Sequence, residues 1–365
     1  MKIRLAERWR GNTNRPHTDT SQKGYTAMKK TIAIACAALF TLSLAGCGTS
    51  ASSAGSTASE STASSAATTA ESSASSAEGY RIAIVQQMDH ASLDQIRAAI
   101  EAELDAKAAE QGIAIEYELF NGQNDATTLN QIGTQVITDG YDAIIPIATL
   151  AAQCMANAAA DTETPVIYAA ISDPAAADLT DISYVTGTSD YLDTEFIMEM
   201  MFAANPDIET VGLLYSNSEP NSEAAIEAAK AYLDEKGVAY VEATGNTNDE
   251  VLSAAVNLAD QADAVFTPTD NVIMAAAGAV ATTFTEAGIP YYAGADSFVT
   301  AGALATCGVN YDELGAATAD LALEVLDTGT VPEYQIVPGG IITVNTETAA
   351  ALGIDPSVYT ALGGE

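Results

Sequence analysis

From residue 80 onward, short apolar runs alternate with helical patterns almost without interruption, and no other feature narrows the fold so far. Runs at 81–85, 113–119, 143–147 and 166–170 are followed by a second series at 211–215, 238–243, 264–267 and 291–293. Segments with helical spacing lie between them, at 93–111, 127–139, 223–236, 249–260 and 271–287. Apolar runs without polar alternation read as strands buried on both faces. Strands separated by helices of this length read as βαβ units. Two sheets hold this many strands more readily than one. The expected class is therefore α/β, with two doubly wound parallel-sheet lobes.

The connections suggest three hinge crossings between the lobes. An extended segment at 184–189, with Gly187, carries the chain across first. A second crossing near 297–301 leads to a strand at 302–309 and a helix at 312–328, and a third near 331–335 leads to a strand at 341–344. The expected lobes are 80–188 plus 300–330, and 189–299 plus 331–365. Two such lobes make a hinged clamshell. In doubly wound sheets a ligand sits beyond the carboxyl ends of the strands, here in the cleft.

The residues before this region have another character. Residues 1–27 are basic, carry the only tryptophan, Trp9, and read as an upstream extension outside the fold. Met28-Lys29-Lys30 and the uncharged run 31–45 have the layout of a secretory signal, too short for the ~20 residues of a transmembrane helix. Leu44-Ala45-Gly46-Cys47 resembles the lipobox of bacterial lipoproteins, which implies acylation of Cys47 after removal of the signal at 28–47. The competing reading is an ordinary cysteine within a signal. Residues 48–79 contain only Ser, Ala, Thr, Gly and Glu, cannot form a core, and read as a disordered tether. As a flexible coil it would span about 30 Å.

Charge then excludes whole classes of partner. Beyond Cys47 there remain five cationic residues, Arg81, Arg97, Lys107, Lys230 and Lys236, against 47 acidic ones, a net of −42. Such a surface repels phosphate backbones and anionic lipids, so no nucleic acid is expected. Membrane attachment has to come from the lipid anchor.

Catalysis finds no support. GxSxG, HExxH, a Walker loop, and GxGxxG after a strand are all absent. Beyond Cys47, His90 is the only histidine, so no triad or His-paired metal site can be assembled. Cys154 and Cys307 read as small core residues, with a disulfide between them the lesser alternative. The expectation is a non-enzyme without cofactor or metal.

The loops after the strands, 87–92, 148–152, 171–174, 216–222, 268–271 and 294–297, are rich in short polar residues. Helix-start N–H groups there can hold a carboxylate, and an aspartate can hold an ammonium group. Taken singly, each loop is more simply a set of helix caps.

Taken in order, these loops resemble a known family. The segments are MDHASLDQIR at 88–97, PIATLAAQ at 146–153, AISDP at 170–174, GLLYSNSEPNS at 212–222, PTDN at 268–271, AGADS at 293–297 and GVNYDELG at 308–315. They are similar to the substrate-binding components of ABC transporters, in the group that includes tryptophan- and tyrosine-binding lipoproteins. The resemblance implies a type I periplasmic-binding-protein clamshell, monomeric and extracytoplasmic, that hands an amino acid or similar small molecule, an aromatic amino acid first among them, to an ABC permease and its ATPase. It implies ligand contacts from Asp89, His90, Leu93, Thr149, Leu150, Ala151, Ser172, Asp173, Ser189, Tyr191, Asn221, Ser222, Thr269, Asp270, Asn271 and Asp296. Thr149 and the following N–H groups would take the carboxylate, and Asp296, Asp270 or Asp173 the ammonium. His90 would stack on the ligand or hydrogen-bond to it, where a lone loop histidine otherwise reads as solvated or capping. Leu150 departs from the family, which often has Pro there. A sensory lipoprotein and a nucleoside-binding transport lipoprotein are the competing functions.

Overall fold

The computed structural model describes residues 1–4 and 79–362. After a short strand β1 (Lys2–Arg4), the first lobe runs β2 (Gly79–Gln86), α1 (Ala91–Gln111), β3 (Ala114–Asn121), α2 (Ala126–Asp139), β4 (Ala143–Ile147), α3 (Thr149–Ala158), β5 (Val166–Tyr168) and β6 (Val185–Ser189). The second lobe follows with α4 (Thr194–Ala204), β7 (Thr210–Tyr215), α5 (Pro220–Lys236), β8 (Ala239–Thr244), α6 (Asn248–Ala259) and β9 (Ala264–Thr267). It continues with α7 (Asn271–Ala275), α8 (Ala277–Ala287), β10 (Tyr291–Ala293), α9 (Asp296–Thr300) and β11 (Ala305–Gly308). The chain closes with α10 (Tyr311–Thr328), β12 (Gln335–Ile336), β13 (Ile341–Val344), α11 (Thr346–Leu352) and α12 (Ser357–Leu362).

Burial explains the strands. Ile82 and Ile84 of β2 pack in one apolar cluster with Ile96 and Ile100 of α1, while Ala83 and Val85 face the cluster holding Leu129 of α2 and Met155 of α3. A side chain such as Ile82 or Ile84, fully removed from water, contributes roughly 1.5–3 kcal/mol. The helices carry local stop and start signals: Asp125 accepts from the Thr128 N–H at the start of α2, and Gly112 ends α1 in the left-handed conformation.

The first sheet has the order β12-β6-β5-β4-β2-β3, and every pairing in it is parallel. The second has the order β1-β13-β11-β10-β9-β7-β8, parallel from β11 to β8 and antiparallel at β13 and β1. Within each lobe five parallel strands repeat one winding: the second strand on one side of the first, the third to fifth on the other. The α/β class expected from the sequence is the class observed.

Two crossings fall elsewhere than the sequence suggests. Strand 305–308, expected in the first lobe, lies in the second sheet between β10 and β13. Only a short connection through α9 separates it from β10, so it adds to the sheet its predecessor already occupies, and the chain crosses at Val309–Asn310. Residues 335–336, expected in the second lobe, pair with Thr188 and Ser189 of the first sheet, and the third crossing follows them. The predicted helix 271–287 is two helices that break at Ala276, whose φ is −109° and ψ 7°. Alanines at 275–277 give no local sign of that break. Residues 2–4, set aside as upstream extension, add an edge strand on β13. Cys154 and Cys307 are buried in different clusters and are not joined by a disulfide. The signal at 28–47 with Cys47, and the tether at 48–79 apart from its last residue, lie outside the described residues.

Helix α10 returns from the second sheet to pack on α1, and the contact depends on Gly315. A Cβ there would lie 2.6 Å from both the Ile96 carbonyl oxygen and the Ala99 Cβ. Because one of these is backbone, the helices must separate. Gly315→Val is expected to cost about 1–3 kcal/mol by overpacking, lowering Tm by several degrees in a thermal melt followed by circular dichroism.

Candidate functional site

The strand order fixes where a site can form. In each sheet the winding reverses beside the first parallel strand, between β2 and β4 and between β7 and β9, and the loops leaving those strands diverge to leave a crevice. The loops are 87–90 and 148 in the first lobe, 216–219 and 268–270 in the second. The lobes face each other across these loops, and a small cavity of about 20 Å³ lies between them.

Its polar lining is His90, Ser92, Thr149, Ser172, Asp190, Asn221, Thr269, Asp270 and Asn271; its apolar lining includes Leu93, Ile96, Met274, Phe298 and Ala295, with Tyr311 beside Asp190. The volume is on the scale of one water, so an occupant as large as an amino acid requires the lobes to part. Hydrogen bonds join them directly. His90 Nε2 pairs with Asn271 Oδ1 at 3.0 Å, Ser92 Oγ with Ser297 Oγ at 2.5 Å, Ser172 Oγ with Thr269 Oγ1 at 3.1 Å, and Gln87 Nε2 donates to Glu219 Oε1 at 3.0 Å.

Eight of the sixteen contacts suggested by the sequence line this cavity: His90, Leu93, Thr149, Ser172, Asn221, Thr269, Asp270 and Asn271. His90 occupies the N-cap position of α1 but makes no cap bond, its ring being committed across the cleft. The other eight residues have different surroundings. Asp89 is exposed and accepts from Asn121 Nδ2 at 2.5 Å. The Leu150 N–H, a suggested carboxylate donor, is taken by Gln87 Oε1 at 3.0 Å, and Ala151 is core. Asp173 accepts from the Ala175 and Ala176 N–H groups of its own turn. Ser189 Oγ donates to the Ser172 carbonyl, and Tyr191 is 40% exposed. Ser222 Oγ donates to Asp270 Oδ2, and Asp296 pairs with Lys2 Nζ at 2.7 Å.

Three buried carboxylates set the electrostatics. Asp190, in the crossing from β6 to α4, accepts from Ser172 Oγ at 2.8 Å and Tyr311 Oη at 3.1 Å. Desolvation raises its pKa, against those two bonds and one from its own backbone N–H. Asp270 accepts from the Ser216 N–H, Ser222 Oγ and the Ile273 N–H, at 2.7, 2.7 and 2.9 Å. Burial holds its pKa up as well. Glu219 accepts from Gln87 Nε2 and, at 2.6 Å, from Asn271 Nδ2; burial, then the Asp270 charge, lift its carboxyl well above the ordinary range. No lysine or arginine lines the cavity.

Asp190 and Glu219 were not among the candidates. Asp190 lies between two that were, Ser189 and Tyr191; neighbours on extended backbone point to opposite sides, and that alternation is the signal that would have found it. Backbone geometry marks the site too. Ala148 and Ala170, at the carboxyl ends of β4 and β5, both line the cavity with φ of 76° and 59°, a region costly for alanine.

A family model for ABC transporter substrate binding proteins matches residues 81–356. The chain belongs to that family. Its members are solute-binding proteins rather than enzymes, and the two lobes have the type I periplasmic-binding-protein fold. The chain is 33% identical over 279 residues to the tyrosine-binding protein of Clostridioides difficile (strain R20291), covering 74% of this chain and 80% of that protein. It is similar to a Streptococcus pneumonia ABC domain solved in complex with L-Trp, with 30% identity, TM-score 0.71, and 77% and 98% of the two chains covered. A ligand-free, open structure of a substrate binding protein with adhesive properties from Clostridium difficile is 31% identical, with TM-score 0.58 and 76% and 95% covered. At near-equal identity, the poorer match to the open form agrees with the interlobe bonds described above. Among the described residues no helix is long and apolar enough to cross a membrane.

The two second-lobe aspartates should respond differently to removal. Asp270→Ala strands two backbone N–H groups and a hydroxyl, at about 1–3 kcal/mol per buried donor, and should lower Tm markedly. Asp296→Ala removes only a pair whose lysine is exposed, and should shift Tm by no more than about 2 °C. Parallel thermal melts check both.

Proposed function

We propose that this protein is the extracytoplasmic receptor of an ABC importer, capturing an aromatic amino acid between its lobes and presenting it, as a monomer, to a permease served by an ATPase. The observation that carries this reading is the buried Asp190 carboxylate in a cavity with no cationic side chain. A buried anion of this kind calls for a positive group on the ligand. The ammonium sits at Asp190, in place of Asp173, which is occupied by its own turn, and of Asp296, which lies outside the cavity lining. The carboxylate sits at Thr149 and the start of α3, where Ala148 offers no side-chain cap and the helix dipole favours an anion. Leu93, Ile96, Met274 and Phe298 supply the apolar wall for the side chain. The named tyrosine-binding relative and the L-Trp complex support an aromatic ligand.

Calorimetry on the purified chain tests this with tyrosine, tryptophan, phenylalanine, leucine and a nucleoside. At least one aromatic amino acid should bind, and leucine and the nucleoside should not. Asp190→Asn should weaken binding tenfold or more, since losing one partner of a buried charge pair costs roughly 2–5 kcal/mol. The sign of the pH effect follows from the raised pKa of Asp190. An ammonium partner stabilises the ionised form, so binding releases a proton and affinity falls as pH drops through that raised value. In Asp190→Asn this acid-side loss should shrink to whatever Asp270 and Glu219 contribute. Binding of leucine or a nucleoside alone would overturn the aromatic assignment.

Anchoring belongs to the same proposal. Acylation at Cys47 would hold the receptor at the outer face of the cell membrane, with residues 48–79 as tether. Cleavage before Cys47 would also remove β1 and free the Asp296 carboxylate from Lys2. Expressed in a bacterial host, the protein should fractionate with membranes, and Cys47→Ser should release it or leave it unprocessed; wild type found only in the cytosol would contradict this.

A further inference from the structure

Two residues that line the cavity each carry a buried polar atom without a hydrogen-bond partner, His90 Nδ1 and Asn221 Oδ1. A stranded buried acceptor is costly and asks for an explanation. Asn221 is only half-buried and its Nδ2 already donates to the Thr269 carbonyl. His90 is 8% exposed, and its environment determines which ring nitrogen carries the proton.

That determination begins at a backbone amide, whose direction is not in question. The Leu150 N–H donates to Gln87 Oε1, which fixes the Gln87 amide with its nitrogen toward Glu219. With its carboxyl ionised, which burial and the Asp270 charge defer to about pH 8, Glu219 accepts from Gln87 at Oε1 and from Asn271 Nδ2 at Oε2. Asn271 in turn presents Oδ1 to His90 Nε2. The ring must donate there, so Nε2 is protonated. Burial lowers the His90 pKa, outweighing the Asn271 bond and the charges of Asp94 and Asp89, so the ring is neutral and Nδ1 keeps a bare lone pair.

We infer that His90 Nδ1 selects the ligand's side chain by accepting a hydrogen bond from a donor on its aromatic ring, a phenol O–H or an indole N–H, and that Glu219 and Asn271 act as positioning residues by fixing the imidazole tautomer. This rests on the aromatic-amino-acid reading above and deepens it: tyrosine and tryptophan satisfy Nδ1, and phenylalanine leaves it stranded. The chain Leu150–Gln87–Glu219–Asn271–His90 links both lobes, so the selective tautomer is set when they close over the ligand.

An isosteric substitution tests the relay. In Glu219→Gln the oxygen must still face Gln87 Nε2, so the new amide nitrogen occupies the Oε2 position and donates to Asn271. Asn271 then turns over, its Nδ2 donates to His90 Nε2, and the imidazole proton moves to Nδ1. The acceptor facing the ligand becomes a donor.

The experiment combines calorimetry with ¹⁵N NMR of labelled histidine in the full chain, above the Glu219 pKa of about 8, in a His17→Gln background that leaves His90 as the only histidine. A bare ring nitrogen resonates far downfield of a protonated one, so the tautomer is read directly. Wild type is expected to show bare Nδ1, to bind tyrosine or tryptophan at least tenfold tighter than phenylalanine, and to shift its Nδ1 signal with those ligands but not with phenylalanine. His90→Leu should lose that preference, the affinities for tyrosine and tryptophan falling to within about threefold of that for phenylalanine in the same variant. Glu219→Gln should show protonated Nδ1 and a reduced preference. Equal affinity for the three aromatics, or protonated Nδ1 in wild type, overturns the inference and leaves the aromatic reading standing. Failure of all three to bind overturns both, and is distinguished by the absence of any binding heat.

Discussion

Everything in this molecule depends on the handedness of the strand–helix–strand connection. Right-handed crossovers between parallel strands bring all the carboxyl ends of a sheet to one edge, and the reversal of winding beside the first strand opens a crevice there. One lobe built this way has a shallow crevice. Two lobes with the same winding, joined by three short crossings, bring their crevices face to face. The loops that meet were each built locally as the start of a helix, which is why they carry Ser, Thr, Asn and Asp, and why their polar atoms converge.

The second governing fact is the imbalance of buried charge. Asp190, Asp270 and Glu219 are all desolvated near one cavity without a cationic side chain in its lining. Their partners separate their roles. Asp270 is saturated by donors of its own lobe and holds β7, α5 and α7 in register at the cleft. Glu219 is saturated by amides from both lobes and belongs to the interlobe contact. Asp190 has two hydroxyls and its own backbone N–H against it, with no other amide and no cation from either lobe among the described residues.

Most of the architecture was legible in the chain because strands buried on both faces are continuous apolar runs and five of the helices between them, α1, α2, α5, α8 and α10, end at glycine. The misplaced crossings have a common cause. Strand β11 is four residues, Ala-Thr-Cys-Gly, and β12 two exposed ones, so neither carries a pattern that names its sheet. The site was legible wherever a candidate sat in a loop after a strand, as with His90, Thr149, Thr269 and Asp270. It was not legible where residue type misdirects: Asp173 and Asp296 are as acidic as Asp190, and only the fold shows that the first serves its own turn and the second faces Lys2. Glu219 was hidden among Ser, Asn and Pro, where a glutamate before proline reads as helix-start chemistry.

The bond between Tyr311 and Asp190 joins two of the three crossings, since Asp190 leaves β6 and Tyr311 opens α10 just after the chain returns from β11. The third crossing is tied in beside them, the Val337 N–H donating to the Ser189 carbonyl at 3.0 Å. The carboxylate is thus mounted at the fulcrum rather than on either jaw. Points at a fulcrum move least as jaws swing, so this group keeps nearly the same position whether the cleft gapes or shuts. A ligand can dock its charge there first, at full strength, and then serve as the template on which the mobile walls assemble. On the proposed assignment of the ammonium to Asp190, grip precedes enclosure, and the place of a single aspartate sets the order of those two events.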